Sequence, residues 1–246
     1  MKAVYAAVAL WGVSLGALAG PNINVGLVYD YLDSDKSTYL KRVFNGGTST
    51  AFVRVQVMEM RLKNDGTFEE TTLKTQANHS TRDGLMASPA RLIVPVNGTQ
   101  GTRLLFMGER DAERYFRVRF VPVVPEKEDE FGQSDEDNDA YKKTLTAGIN
   151  VLAGYGTVFF VRPREARFDT RIENTSHRYT LRNEGNTVVV VDEFKDCASD
   201  APLDCKPTTK THVLPGKAYG FDKLAGRLYR LTLVEGHAQK TIEVKG

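Results

Sequence analysis

Apolar residues fall on alternate positions through most of the chain. In residues 50–60 Val53, Val55 and Val57 share one face, and Phe52, Arg54 and Gln56 share the other. In residues 115–121 the inward set is Phe116, Val118 and Phe120, with Tyr115, Arg117 and Arg119 outward. Residues 187–191, 226–234 and 240–244 read the same way. A period of two is the mark of a half-buried antiparallel strand, because successive side chains point to opposite faces of the sheet. Turn signals at Asn45-Gly46-Gly47, Asn64-Asp65-Gly66, Asn97-Gly98, Asn183-Glu184-Gly185 and Pro215-Gly216 arrive at short intervals, as a β-sandwich requires. No stretch after the N-terminal apolar run keeps a helical period over three turns, so the pattern predicts an all-β protein.

Two segments break this rhythm. Residues 125–139 (PEKEDEFGQSDEDND) are dense in carboxylates and hold a single aromatic. So little apolar surface cannot offset the entropy of ordering them, which predicts a mobile loop. Arg162-Pro163-Arg164-Glu165 follows a long apolar segment and precedes a second set of strands. It marks the boundary between a β-sandwich over residues 20–162 and a smaller one over residues 163–246.

The segment between these breaks, YKKTLTAGINVLAGYGTVFFVRP, reads as one long strand. Leu145, Ala147, Ile149, Val151, Ala153 and Tyr155 alternate, and Val158, Phe159, Phe160 and Val161 then run without a break. At about 3.3 Å per residue, residues 145–161 would span on the order of 55 Å, two to three times a typical strand. The unbroken half belongs inside a sandwich, and the alternating half reads as an exposed edge. Proteins normally blunt such edges. Leaving one open predicts a partner that takes it as an added strand.

The first residues place the chain outside the cytoplasm. Met1-Lys2, an apolar run over residues 3–18 and Ala17-Leu18-Ala19 form a secretory signal peptide, residues 1–19, cut after Ala19. Nothing later approaches the roughly 18 consecutive apolar residues of a spanning helix, so no membrane anchor is expected. With 33 Lys and Arg against 31 Asp and Glu, the charge is balanced and gives no signature for nucleic acid. The two cysteines, Cys197 and Cys205, are expected to form a disulfide, since an exported chain is oxidised and no further soft ligand exists for zinc. Closing so short a loop contributes at most about 2 kcal/mol.

The search for chemistry is largely negative. His79, His177, His212 and His237 show no metal-binding spacing and are expected on the surface. Asp135, Asp137 and Asp139 imitate the start of a calcium loop, but Ala140 and Thr146 stand where its glycine and glutamate belong. No nucleophile motif or glycine-rich phosphate loop is present. No enzyme, metal or cofactor is expected.

Several motifs carry a resemblance. They are Ser34-Asp35-Lys36-Ser37; Ser88-Pro89-Ala90-Arg91-Leu92-Ile93-Val94-Pro95 followed by Arg103-Leu104; Asp111-Ala112-Glu113-Arg114-Tyr115-Phe116-Arg117-Val118; the long strand ending in Arg162-Pro163; and Cys197 and Cys205 ahead of Leu214-Pro215-Gly216-Lys217. In this order and spacing the chain resembles the PapD-like periplasmic pilus chaperones, in the alternate branch typified by CfaA and EcpB. The resemblance implies two immunoglobulin-like domains set as an L and residence in the periplasm of a Gram-negative bacterium. Its implied partners are pilin or fimbrial subunits and an outer-membrane usher; separately, the acidic loop beside the exposed edge suggests that a second copy of the chain could cover that edge by self-association. By register from Arg162-Pro163 it implies donor side chains Ile149, Val151, Ala153 and Tyr155, the face that alternation selects independently. Classical members hold the pilin's terminal carboxylate with an arginine and a lysine, and the matching positions here are Val28 and Val158. A carboxylate leaving water still needs a cation, which points to Arg117, with Arg119 second. The resemblance also implies an interdomain charge network of Arg91, Glu113 and Asp222. Two other readings remain: a β-sandwich pilin or adhesin subunit, and a sandwich that binds metal through its acidic loop.

Overall fold

The computed structural model describes residues 20–72, 83–126, 129, 131–146, 152–201 and 203–246. Residues 1–19, the expected signal peptide, lie outside them. In chain order the first half contains β1 (Ile23–Asn24), β2 (Tyr29–Leu32), β3 (Thr38–Asn45), β4 (Ala51–Leu62), β5 (Phe68–Thr72), β6 (Gly84–Ser88), β7 (Arg91–Val94), β8 (Thr99–Met107), β9 (Arg114–Val123), α1 (Asp135–Thr146) and β10 (Tyr155–Val161). The second half contains β11 (Thr170–Asn174), β12 (Arg178–Asn183), β13 (Val189–Ala198), β14 (Thr209–Val213), β15 (Ala218–Asp222), β16 (Arg227–Glu235) and β17 (Ala238–Lys245). The protein is all-β, with two immunoglobulin-like sandwiches, as the alternation predicts.

In the first sandwich a sheet ordered β1-β3-β8-β6 faces a sheet ordered β2-β10-β9-β4-β5, with β7 also paired to β4. The period-two residues fill the space between them. Val53, Phe116, Val118, Phe120 and Phe159 are fully buried, and Leu32, Val43, Leu104 and Val161 join the same cluster. The second sandwich packs sheet β11-β12-β15 on sheet β14-β13-β16-β17 around Tyr179, Leu181, Val191 and Leu231. Cys197 and Cys205 are joined by the expected disulfide.

The Asn-x-Gly signals have a common physical cause in the two sandwiches. Asn45 is fully buried, its amide donating to the Ser49 and Val94 carbonyls while its oxygen accepts from Gly47 N. Asn183 repeats this with the Thr187 and Val213 carbonyls and Gly185 N. Each asparagine satisfies backbone groups at a sandwich corner that would otherwise be left unpaired.

The first edge of the chain changes sheets between β1 and β2. A buried ion pair holds the crossing: Lys41 on β3 donates to Asp30 Oδ2 on β2 at 2.7 Å and to the Leu27 carbonyl at 2.5 Å, while Tyr39 donates to Asp30 Oδ1 at 2.7 Å. This places a charged pair between the two sheets of a sandwich.

The expected long strand is shorter at its N-terminal end. Residues 135–146 are helix, so both the acidic loop from Asp135 onward and the strand from Leu145 to Thr146 are corrected. Ser134 caps the helix: its hydroxyl accepts from Asp137 N at 3.1 Å and donates to Asp137 Oδ2 at 2.8 Å. Asp135, Glu136 and Asp137 sit in the first turn and Lys143 in the last, the polarity that the helix dipole favours. Packing completes the element. Phe52 stacks edge-on with Tyr141 and Phe131, and Tyr141 donates to the Thr50 carbonyl at 2.6 Å. Asp135, Asp137 and Asp139 are therefore helical positions, which removes the calcium-loop reading.

Candidate functional site

The face of the six-stranded sheet turned away from its own core carries the chemistry. Strand registers align Tyr29, Val158, Arg117, Met58 and Thr72 in one row, and Tyr31, Phe160, Tyr115, Met60 and Glu70 in the next. These rows have three environments.

At one end the second sandwich covers the sheet. His212 on β14 stacks on Phe160 with ring centroids 5.1 Å apart, and its Nε2 lies 2.6 Å from the Tyr31 hydroxyl. Burial pushes the His212 imidazole down to about 4, helped by Lys210 and opposed by Asp192. Burial likewise pushes the Tyr31 hydroxyl well above its ordinary range. A neutral ring beside a protonated phenol makes a hydrogen bond between uncharged groups, its direction set by the imidazole tautomer. His212 is thus an interface residue and not the surface histidine expected, because the ring fills an aromatic gap between sandwiches. His177 and His237 are exposed, and His79 lies outside the described residues.

The same boundary holds Glu113. Its carboxylate accepts from Thr187 Oγ1 at 2.5 Å and Val188 N at 2.9 Å, reaching from the first sandwich into the second. Burial raises its pKa, against the lowering effect of these hydrogen bonds. Arg162 donates to Asp33 at 2.6 Å and lies over the rings of Tyr31 and Phe168. The expected partners of Glu113 are elsewhere. Arg91, at the far end of the sheet on β7, donates to the Asp129 carbonyl, and Asp222 pairs with Arg178 at 2.5 Å within the second sandwich. The reason is register: β7 pairs with the opening residues of β4, Arg91 opposite Arg54, whereas Glu113 precedes the start of β9. Arg162 and Asp33 occupy the boundary instead, and the Ser34-Asp35 and Arg162-Pro163 motifs lie beside them.

At the other end, the segment before β10 folds back on the sheet. Besides the Phe52 contacts, Asp129 pairs with Arg54 at 3.1 Å. Phe52 is buried although it points away from the sandwich core, for this reason.

The middle of the sheet is open. Val158 N donates to the Val28 carbonyl at 2.8 Å, so the two valines are neighbours. Arg117 stands directly opposite Val158 across the β9–β10 ladder, and its Cδ would lie 3.4 Å from a Cβ placed on Gly156. A glycine on β10 thus leaves room for the arginine stem. Arg117 Nε and Arg119 Nη2 donate to the two oxygens of Glu70, at 3.1 and 2.5 Å.

Beside this open stretch lies the start of β10. Thr157, Phe159 and Val161 are buried in the core. Tyr155, the first residue of β10, shares that face and is exposed, and Ala153, two residues before the strand, is exposed as well. Ile149 and Val151 lie outside the described residues. Of the face selected by alternation, Tyr155 is thus the position that lies within β10, on its core side.

Comparisons with known proteins follow this geometry. No protein-family model matches the chain. It is 25% identical over 228 residues to "Probable fimbrial chaperone EcpB" of Escherichia coli O157:H7, covering 91% of each. Among solved structures it resembles the class 5 fimbriae chaperone CfaA, with a TM-score of 0.53, 19% identity, and 92% and 99% of the two chains covered. The CupB2 chaperone of Pseudomonas aeruginosa gives a TM-score of 0.53 at 11% identity, covering 89% of this chain and 98% of its own. These structures share the two-sandwich fold.

Proposed function

We infer that this chain, a member of the pilus-chaperone family, captures pilin subunits in the periplasm of a Gram-negative bacterium. It completes their fold by donating the strand that leads into Tyr155, and passes them to an outer-membrane usher. The observation that carries this reading is that the core face of β10 reaches solvent at Tyr155, its first residue, with Ala153 exposed just before it. A sheet face with no opposing sheet is a ready complement for a sandwich that lacks a strand. Ile149, Val151, Ala153 and Tyr155 are the proposed donor side chains, and burial of the larger ones would contribute about 1.5–3 kcal/mol each. The exchange of one strand for another requires no catalysis.

Arg117, with Arg119 beside it, is the proposed receiver of the pilin's terminal carboxylate. It stands opposite Val158, which bonds Val28 on the other side of β10, these being the two positions where classical members carry their cations, and it extends over Gly156. The structural-subunit alternative is not favoured, because β10 is already in place between β2 and β9, which leaves no missing strand for a donor to fill among the described residues of the first sandwich.

The decisive experiment is co-expression of the mature protein with pilin subunits from its own gene neighbourhood, followed by pull-down. Wild type is expected to retain a one-to-one complex and Val151→Glu to lose it, because a charge would enter the pilin groove. Equal retention by both forms would reject the donor-strand reading.

A further inference from the structure

The two arginines proposed to receive a carboxylate already hold one. Glu70 reaches from edge strand β5 across β4, and its two oxygens are divided between Arg117 and Arg119. Among the described residues it is the acidic side chain paired with either guanidinium. The edge contact of Phe68 with Tyr115, centroids 5.6 Å apart, ties β5 to β9 just beside this cluster.

The charges do not cancel. Two guanidiniums against one carboxylate leave a net positive charge, and each guanidinium has five N–H donors of which these bonds use one. The cluster therefore has capacity for a second carboxylate, next to the first. Like charges so placed repel, and both would compete for the same two forks.

We propose that Glu70 is an internal competitor: it keeps Arg117 and Arg119 together while no ligand is bound and weakens their hold on an external C-terminal carboxylate. The proposal rests on the chaperone reading above. Its consequence is selectivity. A bare arginine pair on an open sheet face would hold any small anion, whereas a pair with a resident carboxylate retains a ligand that also brings strand contacts.

The test uses the mature protein as wild type, Glu70→Gln, and Glu70→Gln combined with Arg117→Gln. Two labelled probes are titrated by fluorescence anisotropy: a ten-residue peptide of alternating apolar and polar residues with a free C-terminal carboxylate, and the same peptide as the C-terminal amide. Glu70→Gln should raise the preference for acid over amide by roughly fivefold, the size of a partly exposed charge interaction. The gain should vanish in the double variant, with thermal midpoints similar for all three forms. An unchanged or reduced acid preference in Glu70→Gln, with peptide binding retained, would make Glu70 a structural tie and overturn the proposal. Binding of neither probe to wild type would instead remove the chaperone reading, and the proposal with it.

Discussion

The two faces of the six-stranded sheet each carry a carboxylate held by cationic groups, and the two clusters differ in what they leave over. Inside the sandwich, Asp30 is bonded by Lys41 and Tyr39, and Lys41 also donates to the Leu27 carbonyl. The two charged side chains are 5% and 1% exposed, and their charges cancel one to one. On the outer face Glu70 is shared by two arginines that keep donors and charge in reserve, and all three side chains are partly open to solvent. A saturated buried pair can only hold structure together. An unsaturated cluster on an open face can accept something more.

The largest expected effect sharpens this contrast from the inside. Lys41→Ala leaves the Asp30 carboxylate buried without its cation and should destabilise the protein by about 3–5 kcal/mol, read from urea unfolding of the mature chain. A loss below about 1 kcal/mol would put the inner pair in the class of surface ion pairs and erase the distinction.

The covered end of the outer face supplies an intermediate effect. His212 is held neutral in the folded state, with its pKa lowered to about 4. The unfolded chain takes up the proton first, so the stability this residue contributes is present above about pH 6.5 and is lost as pH falls toward 4. The change should be on the order of 2 kcal/mol, allowing for partial exposure of the ring. Glu113 acts in the opposite sense: its raised pKa means that its contribution declines as pH rises above the ordinary carboxylate range. Comparing wild type with His212→Gln across this window isolates the histidine. The variant should show a flatter acid limb, and an identical limb would place the titrating group elsewhere.

The smallest stability effect belongs to the open cluster. Arg117→Ala should change unfolding free energy by less than about 1 kcal/mol, yet abolish pilin capture in the pull-down. A large destabilisation would mean that the outer cluster is structural like the inner one; full capture by the variant would remove Arg117 as the anchor.

Much of the fold is legible in the sequence because the strands bury one face only. Alternation alone turns Val53, Phe116, Val118 and Phe120 inward, and all are core residues. The helix escapes that reading for a physical reason. Its buried side is Asn138, Leu145 and Tyr141, the last against Phe52, too narrow an apolar stripe to announce a helical period, and Leu145 also begins the alternation that runs on to Tyr155. The Ser134 to Asp137 spacing is the one local signal that could find it. For the site, Arg117 and Arg119 are visible as outward arginines on a strand, but Glu70 is not. It lies in a different strand, and only the β4–β5 and β4–β9 registers bring it near.

The sequence by itself determined what depends on neighbours along the chain. The period of two set strands and their buried faces, asparagine and glycine set the corners, and the spacing of the two cysteines left a short disulfide loop. The tertiary structure alone decided what depends on groups far apart in the chain. Glu113 meets Thr187 and Val188, Tyr31 meets His212, and Glu70 meets two arginines because folding brings separate sheets into register. The physical reason is range: side-chain alternation acts between residues two positions apart, whereas charge pairing and aromatic packing act between any groups that the closed sandwiches place within a few ångströms.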